Sequence, residues 1–492
     1  MNGLRERHAE AAHILPKVGS IIAGDLSTDG AGGTHLHVNP ATGEVQASIP
    51  LSGADAVDAA VAAARAAAPM WRDTPGAKRR EILERLAELI QADAEHLATL
   101  STLENGVTRG FGATRFVSFA VAWTRYYAGW ADRLEGLVVD TTQDEAFVYT
   151  IPEPFGVVAM VITWNAPLLS LAMKLPPALA AGNTIVLKPA EFTPFTSIRF
   201  MELAHQAGLP DGVINLVIGG ADTGAALVAH KGIDKISFTG GPITAGRIMQ
   251  AASTHLTPLV FELGGKGANL IFDDADLAEA IPFSTGFALA NSGQGCALPT
   301  RMLVQRGVYD HVVAGVQAMV EHLVTGDPLL EATFTGPLVN QAALERVTAI
   351  IEKAKAEKAG RLILGGERAG GELSGGFFVP PTVFVDVDPD SSLAQNEVFG
   401  PVLSIIPFDT EEEGVAIANG TEYGLTNYVQ TRDMRRARRL ARALRSGTVG
   451  FNTAGNMHLA APFGGVGVSG FGREGGKEGI MEFVSTKTVL LG

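Results

Sequence analysis

The sequence predicts an α/β fold, in which helices cover both faces of parallel β-sheets. Between residues 156 and 263, short apolar runs alternate with helical stretches, and strands that are buried on both faces of a parallel sheet have this composition. A second alternating region follows over residues 268–407. Since domains commonly hold about 100–200 residues, a chain of 492 residues predicts about three domains.

Composition and charge narrow the class of protein. Hydrophobic residues make up 46% of the chain and charged residues 18%, which is typical of a globular protein. The net charge of −14 argues against nucleic acid and anionic membranes as partners. One cysteine cannot form an internal disulfide, and residues 1–20 lack the apolar core of a signal peptide, so we expect a cytoplasmic protein.

The first third of the chain is predicted to be mostly helical. An alanine-rich helix is predicted over residues 54–68, and apolar residues recur at helical spacing from Ile82 to Leu97. Asn105-Gly106 predicts a turn. Residues 137–140 and 146–151 flank a polar turn and therefore predict a β-hairpin.

Nine apolar runs predict the strands of the two α/β regions. They are residues 156–162, 184–187, 213–217, 235–238 and 259–263 in the first region and 268–272, 302–305, 361–364 and 402–407 in the second. The uncharged stretch 154–173 has about the length of a membrane span. Because Trp164-Asn-Ala-Pro167 interrupts it, a strand followed by a helix explains this stretch better.

Two segments late in the chain bear on partners. Residues 435–445 form an arginine-rich helix, which in an acidic protein is better interpreted as a solvated face than as a nucleic-acid site. Residues 482–491 predict a terminal strand, whose edge must be paired or covered. Together with the hairpin, this strand predicts a subunit interface.

The only cysteine, Cys296, lies in the glycine-containing stretch Asn291-Ser-Gly-Gln-Gly-Cys296-Ala297. Its small neighbours leave the thiol open to a substrate. A free cysteine is nevertheless more often an inert core residue, so the thiol alone favours a structural role. A cysteine hydrolase would need a histidine to activate the thiol, and none of the eleven histidines lies in a comparable setting.

Two motifs follow predicted strands at the edge where nucleotides bind to parallel sheets. Lys188 and Glu191 follow the strand 184–187. They would either bind the hydroxyls of a ribose or form an exposed ion pair, and the residues alone favour neither interpretation. Phe238-Thr-Gly-Gly-Pro242 follows another strand and opens a helix, so its amides are a candidate phosphate site. Alone, this second motif is only a turn.

Glu262 is an acid within the apolar strand 259–263. Burial would raise its pKa and make it a candidate general base, although an acid in a strand is more often simply hydrogen-bonded. The fingerprint G-x-G-x-x-G occurs at 465–470 and 470–475, but neither copy follows a clear strand. Both copies therefore predict tight loops and not phosphate sites.

Taken together, these motifs resemble the aldehyde dehydrogenase superfamily, of the non-phosphorylating, hydrolytic kind. The most specific pieces are Thr163-Trp-Asn165, Lys188-Pro-Ala-Glu191, Phe238-Thr-Gly240, Glu262-Leu-Gly-Gly-Lys266, Gly293-Gln-Gly-Cys296, Glu397-Val-Phe-Gly-Pro401, Pro462-Phe-Gly-Gly465 and Ser469-Gly-Phe-Gly-Arg-Glu474. The resemblance spans most of the chain, from about Asn39 onward.

This resemblance implies three structural parts and an oligomer. The parts are a Rossmann-like nucleotide-binding domain of residues 1–133 and 154–263, an α/β catalytic domain of residues 264–468, and a small β oligomerisation element of residues 134–153 and 469–492. Partner subunits would complete the last element. We therefore expect a homodimer or homotetramer.

The resemblance also implies catalytic roles. Cys296 would attack the aldehyde carbon to give a thiohemiacetal, and hydride transfer to a nicotinamide would leave a thioester. Asn165 and the backbone amide of Cys296 would hold the developing oxyanion. Glu262 would activate the water that releases the acid, while Lys174 and Glu474 would assist proton movement nearby. No metal is expected.

Matching positions predict the cofactor site. They are Lys188 and Glu191 at the adenosine ribose, Glu397 at the nicotinamide ribose, Phe399 beside the nicotinamide, and Trp164, Gly240 and Gly241 nearby. A carboxylate at Glu191 suits a free 2′-hydroxyl and repels a 2′-phosphate, so we predict NAD over NADP. In the loop 240–246, Gly241-Pro242 stands where serine is common, and this difference leaves the pyrophosphate contacts open.

By the same resemblance, the substrate tunnel is lined by Ala166, Leu169, Met173, Met457 and Phe463. No arginine or lysine is placed to meet a substrate carboxylate, and Ala166 is small where many relatives carry an aromatic residue. We therefore predict an uncharged, apolar and bulky aldehyde, either aromatic, terpenoid or medium-chain. The alternative is a broad-specificity enzyme whose lining reflects packing alone.

Two other functions remain as alternatives. A CoA-acylating aldehyde dehydrogenase would pass the acyl group to CoA, and Glu262 argues against it because that reaction needs no base for water. A non-catalytic binding or structural protein could keep the same fold. The joint presence of Cys296, Asn165 and Glu262 argues against this second alternative.

Overall fold

The computed structural model describes residues 3–142, 146–453 and 457–492. Its strands are β1 Ser20–Ile22, β2 Asp25–Ser27, β3 Thr34–Val38, β4 Val45–Pro50, β5 Val138–Val139, β6 Phe147–Pro154, β7 Val157–Val161, β8 Thr184–Lys188, β9 Ile214–Leu216, β10 Lys235–Gly240, β11 Leu259–Leu263, β12 Ala268–Ile271, β13 Arg301–Gln305, β14 Arg361–Leu364, β15 Thr382–Val385, β16 Val402–Phe408, β17 Thr426–Gln430, β18 Thr448–Phe451, β19 Gly470–Phe471 and β20 Val484–Leu491.

The α-helices alternate with these strands over most of the chain. They are α1 Leu4–Ala11, α2 Ala54–Asp73, α3 Gly76–Ala92, α4 Ala94–Asn105, α5 Thr114–Ala128, α6 Pro167–Ala181, α7 Phe195–Gln206, α8 Ala221–Ala229, α9 Pro242–Ser253, α10 Leu277–Leu289, α11 Tyr309–Val320, α12 Gln341–Ala356, α13 Ser392–Gln395, α14 Glu411–Asn419, α15 Met434–Ala443 and α16 Gly476–Met481.

The first large sheet has the strand order β19-β11-β10-β7-β8-β9-β1-β2. Its central five strands are parallel, which confirms the prediction for residues 156–263. Because parallel strands end at one edge of a sheet, Lys188 of β8, Gly240 of β10 and Leu263 of β11 mark the same edge. The turn with Trp164 and Asn165 follows β7 at this edge.

The second sheet has the order β14-β15-β16-β13-β12-β17-β18. All its pairings are parallel except that of the edge strand β14. Only residues 264–267 link β11 of the first sheet to β12 of the second. An added Cβ at Gly265 would collide with the backbone oxygen of Cys296. This glycine link therefore brings the cysteine loop to the junction of the two sheets.

Several local features differ from the sequence predictions. The apolar stripe from Ile82 to Leu97 belongs to two helices, because Asp93, with φ −95° and ψ 14°, separates α3 from α4. The first third also contains the antiparallel pairs β1–β2 and β3–β4, which were not predicted because these short strands mix polar and apolar residues without a long apolar run. The turn at Asn105-Gly106 is confirmed, since Gly106 ends α4 with φ +79°.

The third sheet has the order β20-β6-β5. Strand β20 pairs with β6 from Val484↔Pro154 to Leu491↔Phe147, and the predicted polar turn at 143–145 lies outside the described residues. Residues 470–471 form β19 and pair with β11 in the first sheet. This placement differs from the predicted boundary at residue 469, because the short glycine-rich strand carried no recognisable apolar pattern.

The apolar stretch 154–173 contains β7 and the start of α6, as predicted. Helix α6 is buried along nearly its whole length and carries Leu169, Met173 and Lys174. No helix in the described parts of the chain is long and apolar enough to cross a lipid bilayer.

Candidate active site

The turn before Cys296 has an unusual backbone. Asn291, Ser292 and Gly293 have φ values of 49°, 54° and 70°, a left-handed conformation that costs free energy for residues with a side chain. A Cβ at Gly293 would collide with the backbone of Gly400, and Ser292 Oγ donates a hydrogen bond to Gly336 O at 2.9 Å. The turn is therefore held tightly against two neighbouring loops.

Hydrogen bonds fix the chain on both sides of the thiol. Gln294 Oε1 accepts a hydrogen bond from the backbone N–H of Val339 at 3.0 Å. The carbonyl of Ala297 accepts hydrogen bonds from Thr426 Oγ1 at 3.1 Å and from Tyr428 Oη at 3.2 Å. Cys296 thus lies between two anchored residues, where its backbone has little freedom.

Glu262 of β11 and Cys296 lie together at the carboxyl edge of the first sheet. Burial raises the pKa of Glu262 well above its usual range, while Lys174 and a hydrogen bond with the Cys296 thiol lower it. Burial, and then the charge of Glu262, also raise the pKa of the Cys296 thiol. The thiol therefore favours its protonated form, a property that the sequence left open.

Lys174 connects Glu262 to a further buried acid. Its Nζ donates hydrogen bonds to Glu474 Oε1 at 2.5 Å and to Ser237 Oγ at 2.9 Å. Lys174, Ser237 and Glu474 are at most 7% exposed. Two acids share a single lysine here, so one acid retains a proton most easily, which agrees with the raised pKa of Glu262. Ser237 was missed by the sequence reasoning, since a serine inside a strand carries no distinctive signal.

The loop that carries Asn165 is joined to the cysteine turn. Asn165 Nδ2 donates a hydrogen bond to Gln294 O at 3.0 Å. The side-chain amides of Asn105 and Asn291 both donate to Asn165 O. The sequence reasoning singled out Asn165 and missed the two supporting asparagines, because their contacts join segments that are distant in the chain.

The residues predicted at the nicotinamide lie beside this turn. Glu397 Oε1 accepts a hydrogen bond from Gly265 N at 2.9 Å, and burial raises the pKa of Glu397 to about 7. The rings of Trp164 and Phe399 meet edge to face with centroids 5.3 Å apart. A Cβ at Gly264 would collide with the Glu397 carboxylate, so the close approach requires glycine.

The residues predicted at the adenosine end follow β8 and β10. Lys188 Nζ is buried and donates to Pro189 O at 3.2 Å, which leaves two of its three hydrogens for other acceptors. Burial lowers the pKa of Lys188, and Glu191 raises it. Gly241 precedes α9 and has open space where a Cβ would lie. Free donors, a carboxylate and an open helix start along one sheet edge fit a dinucleotide.

Four of the five predicted substrate residues belong to one apolar cluster, and the fifth, Ala166, is also buried. Ala166, Met173 and Phe463 are each 6% exposed. Leu169, Met173, Met457 and Phe463 belong to the same cluster as Cys296. Phe116 and Phe119 of α5 also pack there; they were not predicted, although the aromatic residues of α5 recur at helical spacing.

The chain resembles known proteins over nearly its whole length. Residues 28–489 match the model of the aldehyde dehydrogenase family. An aldehyde dehydrogenase of Emericella nidulans is 41% identical over 463 residues, covering 93% of this chain and 92% of that protein. The similarity therefore extends over whole domains and is not limited to single motifs.

Solved structures have the same fold. PnpE in complex with nicotinamide adenine dinucleotide superposes with a TM-score of 0.94 at 37% identity, covering 97% of this chain and 98% of that one. An NADP-dependent enzyme of E. coli superposes with a TM-score of 0.94 at 35% identity, covering 98% and 99%. These neighbours confirm an α/β fold with a nucleotide-binding domain and a catalytic domain. The chain belongs to the aldehyde dehydrogenase family and is an enzyme that oxidises aldehydes with NAD(P).

Proposed function

We propose that this enzyme converts an uncharged, apolar and bulky aldehyde to its carboxylic acid with NAD, and that water releases the acid. The observation that carries the proposal is that the Cys296 thiol and the buried Glu262 lie close enough for each to shift the pKa of the other, beside the loop of Asn165, and that Glu262 Oε1 is buried without a hydrogen-bond partner among the described residues. A nucleophile, a base and an amide donor then lie at one junction between the two sheets.

The first chemical step belongs to Cys296 and Asn165. The thiol gives its proton to Glu262 and attacks the aldehyde carbon, so that negative charge develops on the aldehyde oxygen. Asn165 Nδ2 and the backbone N–H of Cys296 donate hydrogen bonds to this oxygen. When bound, NAD supplies the acceptor for the hydride that leaves the thiohemiacetal carbon, and Cys296 then carries a thioester.

The second step belongs to Glu262. After Glu262 has released the thiol proton to solvent, its carboxylate takes a proton from a water molecule, which attacks the thioester carbon and displaces the Cys296 sulfur as a thiolate. Lys174, which donates hydrogen bonds to Ser237 and Glu474, lowers the cost of ionising this base, whereas the charge of Glu474 raises it. We assign Lys174 and Glu474 to this proton movement.

For the cofactor, Lys188 and Glu191 would bind the adenosine ribose and Glu397 the nicotinamide ribose, and Phe399 and Trp164 would pack against the nicotinamide. Gly240 and Gly241, at the end of β10 and the start of α9, provide the space for the pyrophosphate. The Glu191 carboxylate repels a 2′-phosphate, which supports NAD over NADP.

The substrate class follows from the apolar cluster around the thiol. Leu169, Met173, Met457 and Phe463 offer alkyl and aromatic surface, and Ala166 leaves space beside Asn165. Such a lining favours aromatic, terpenoid or medium-chain aldehydes over aldehydes that carry a carboxylate, because burying an unpaired charge is costly.

The test is a panel of benzaldehyde, a long-chain aldehyde and a carboxylate-bearing semialdehyde, followed at the NADH absorbance with and without CoA. We expect NADH formation without CoA and the lowest kcat/KM for the semialdehyde. Dependence on CoA would establish the acylating alternative instead. Cys296→Ala is expected to abolish oxidation, and full activity in that variant would overturn the mechanism.

We also propose how the chain divides. The nucleotide-binding domain comprises residues 1–133 and 154–263, the catalytic domain 264–468, and the oligomerisation element 134–153 with the C-terminal segment. The pairing of β19 with β11 adds residues 470–471 to the first sheet. Strand β20 with β6 and β5 then forms the surface through which we propose a homodimer or homotetramer assembles.

A further inference from the structure

We propose that Asn291 and Asn105 are positioning residues for the oxyanion site, because their side-chain amides fix the Asn165 loop against the Cys296 turn. This inference rests on the proposed function. Neither asparagine is proposed to contact the substrate. Both would act by positioning Asn165.

Asn291 joins the two loops directly. Its Nδ2 donates hydrogen bonds to Asn165 O and to Gln294 O, each at 3.1 Å. Asn165 Nδ2 donates to the same Gln294 O at 3.0 Å. The two loops therefore share a closed set of hydrogen bonds between two backbone carbonyls and two amides.

Asn105 also holds the Asn165 loop, from a different element of the fold. It ends α4 and is 2% exposed, and its Nδ2 donates to Trp164 O at 3.1 Å and to Asn165 O at 3.3 Å. Its Oδ1 accepts a hydrogen bond from Val107 N at 3.0 Å, which sets the orientation of the amide. The carbonyl of Asn165 thus accepts from two side chains on two separate elements.

This arrangement leaves one hydrogen of Asn165 available. The amide has two N–H bonds, and Gln294 O is the acceptor of one of them. The described residues supply no second acceptor for this amide. The remaining side-chain N–H of Asn165 can then donate to a substrate oxygen. The hydrogen bonds of Asn291 and Asn105 fix how far this N–H lies from the backbone N–H of Cys296.

The backbone explains why position 291 holds an asparagine. Asn291 has φ 49° and ψ 38°, and asparagine tolerates this left-handed region better than most residues with a side chain. Glycine also adopts it easily. Asn291→Gly therefore removes the amide without adding backbone strain, and Asn291→Asp keeps the shape but turns an acceptor toward two carbonyl oxygens.

The first measurement is the steady-state kinetics of Asn291→Gly, Asn291→Asp and Asn105→Ser. Since loss of one oxyanion donor costs about 10²–10³ in kcat, a misplaced donor is expected to lower kcat/KM by about 10- to 100-fold. The KM for NAD should stay within about twofold of the unsubstituted value. Unchanged kcat/KM in every variant that folds would overturn the proposal.

The second measurement separates positioning of the oxyanion site from general damage to the cysteine turn. Alkylation of Cys296 by iodoacetamide needs the thiolate but creates no oxyanion. We expect alkylation rates within about twofold of the unsubstituted enzyme. A fall in alkylation that parallels the fall in kcat/KM would show that the asparagines merely support the thiol, and the proposal would be wrong.

The third measurement is a double-mutant cycle with Asn165→Ala. Residues that act through the same group are not additive, so Asn291→Gly should add little to the loss caused by Asn165→Ala. Full additivity would overturn the proposal. If the unsubstituted enzyme oxidises no aldehyde, the proposed function fails; if it does and the variants match it, only this inference fails.

Asn215→Gly is a suitable control. Asn215 is also buried, and its Nδ2 donates to two backbone carbonyls, those of Gly212 and Ile185, but it lies on β9 outside the predicted site. We expect a lower Tm with unchanged kcat/KM. If this control lost as much kcat/KM, the loss in the Asn291 and Asn105 variants would be due to the removal of any buried amide, and the proposal would be wrong.

Discussion

At the scale of single residues, Glu262 combines burial with a need to ionise. Burial stabilises its neutral form, whereas the neighbouring Lys174 stabilises the carboxylate. The Cys296 thiol is raised in pKa by the same surroundings. Both Glu262 and Cys296 therefore remain protonated until a higher pH or a bound molecule favours their ionised forms.

The kcat/KM for aldehyde should therefore rise with pH. The active ionised forms of Cys296 and Glu262 appear only above their raised pKa values, so activity increases as pH rises through them. A profile across about pH 6 to pH 10 measures this limb. A profile that falls with rising pH in this range would contradict the assignment.

Glu262→Gln tests both proton transfers assigned to Glu262. The amide cannot accept a proton from the thiol or from water, so the first burst of NADH should be slower than in the unsubstituted enzyme, and the later turnover slower still, by about 10²-fold or more. Stopped-flow absorbance measures the burst against the subunit concentration. Loss of the burst together with turnover would instead assign Glu262 mainly to thiol activation.

Glu191→Gln tests cofactor choice. Removal of the carboxylate removes its repulsion of a 2′-phosphate, so the ratio of kcat/KM for NADP to that for NAD should rise about tenfold, or about 1.4 kcal/mol. Kinetics with both cofactors measure the ratio. An unchanged ratio would place the ribose contact elsewhere.

At the scale of elements, strands could be predicted from the sequence where a buried strand requires an unbroken run of apolar residues. Strand β7 is a continuous apolar run, β8 has three apolar residues between Thr184 and Lys188, and both were predicted to within one residue of their ends. The strands β15, β17 and β18 were missed although they join the same kind of sheet. Asparagine interrupts the apolar pattern of β17 and glycine that of β18, and β15 has only four residues.

The residues of the candidate site also fall into those that the sequence predicts and those that it does not. Cys296 and Glu262 could be recognised because their residue types are unusual in their settings. Ser237, Asn105 and Asn291 could not, since their importance lies in hydrogen bonds to groups far away in the chain. Such contacts depend on tertiary structure, which local composition does not encode.

One element offers a test of stability apart from catalysis. Asn340 precedes α12, and its side chain accepts a hydrogen bond from Ala343 N at 2.9 Å. Asn340→Ala should lower the free energy of unfolding by about 1 kcal/mol and leave kcat/KM unchanged. Denaturant titration measures the loss, and Asn340→Asp, which keeps an acceptor, is the matched control.

At the scale of the whole molecule, the three-stranded sheet leaves apolar side chains exposed. Leu137, Val138 and Leu490 are 70%, 73% and 69% exposed in the single chain. Exposed apolar patches of this kind mark association surfaces. Val138 lies on β5, Leu490 lies on β20 and Leu137 directly precedes β5, and this placement is the basis for the proposed oligomer.

The double substitution Val138→Lys and Leu490→Lys should reduce the molecular mass in solution. Charged side chains on this surface oppose its burial against a second copy. Analytical ultracentrifugation measures the mass, and Met434→Lys, at an apolar residue that is 70% exposed on α15, is the control. A monomeric unsubstituted protein would contradict the proposed assembly.

The hydrogen bond between Lys174 and Glu474 joins residues that are 300 positions apart. Closing a loop of this length costs about 5 kcal/mol of conformational entropy, so this contact forms only when the surrounding structure already holds both ends close. During synthesis, Cys296 leaves the ribosome well before Glu474 does. A nascent chain therefore carries Cys296, Glu262 and Lys174 before Glu474 has been added, and we expect products truncated before Glu474 to form no NADH from an aldehyde.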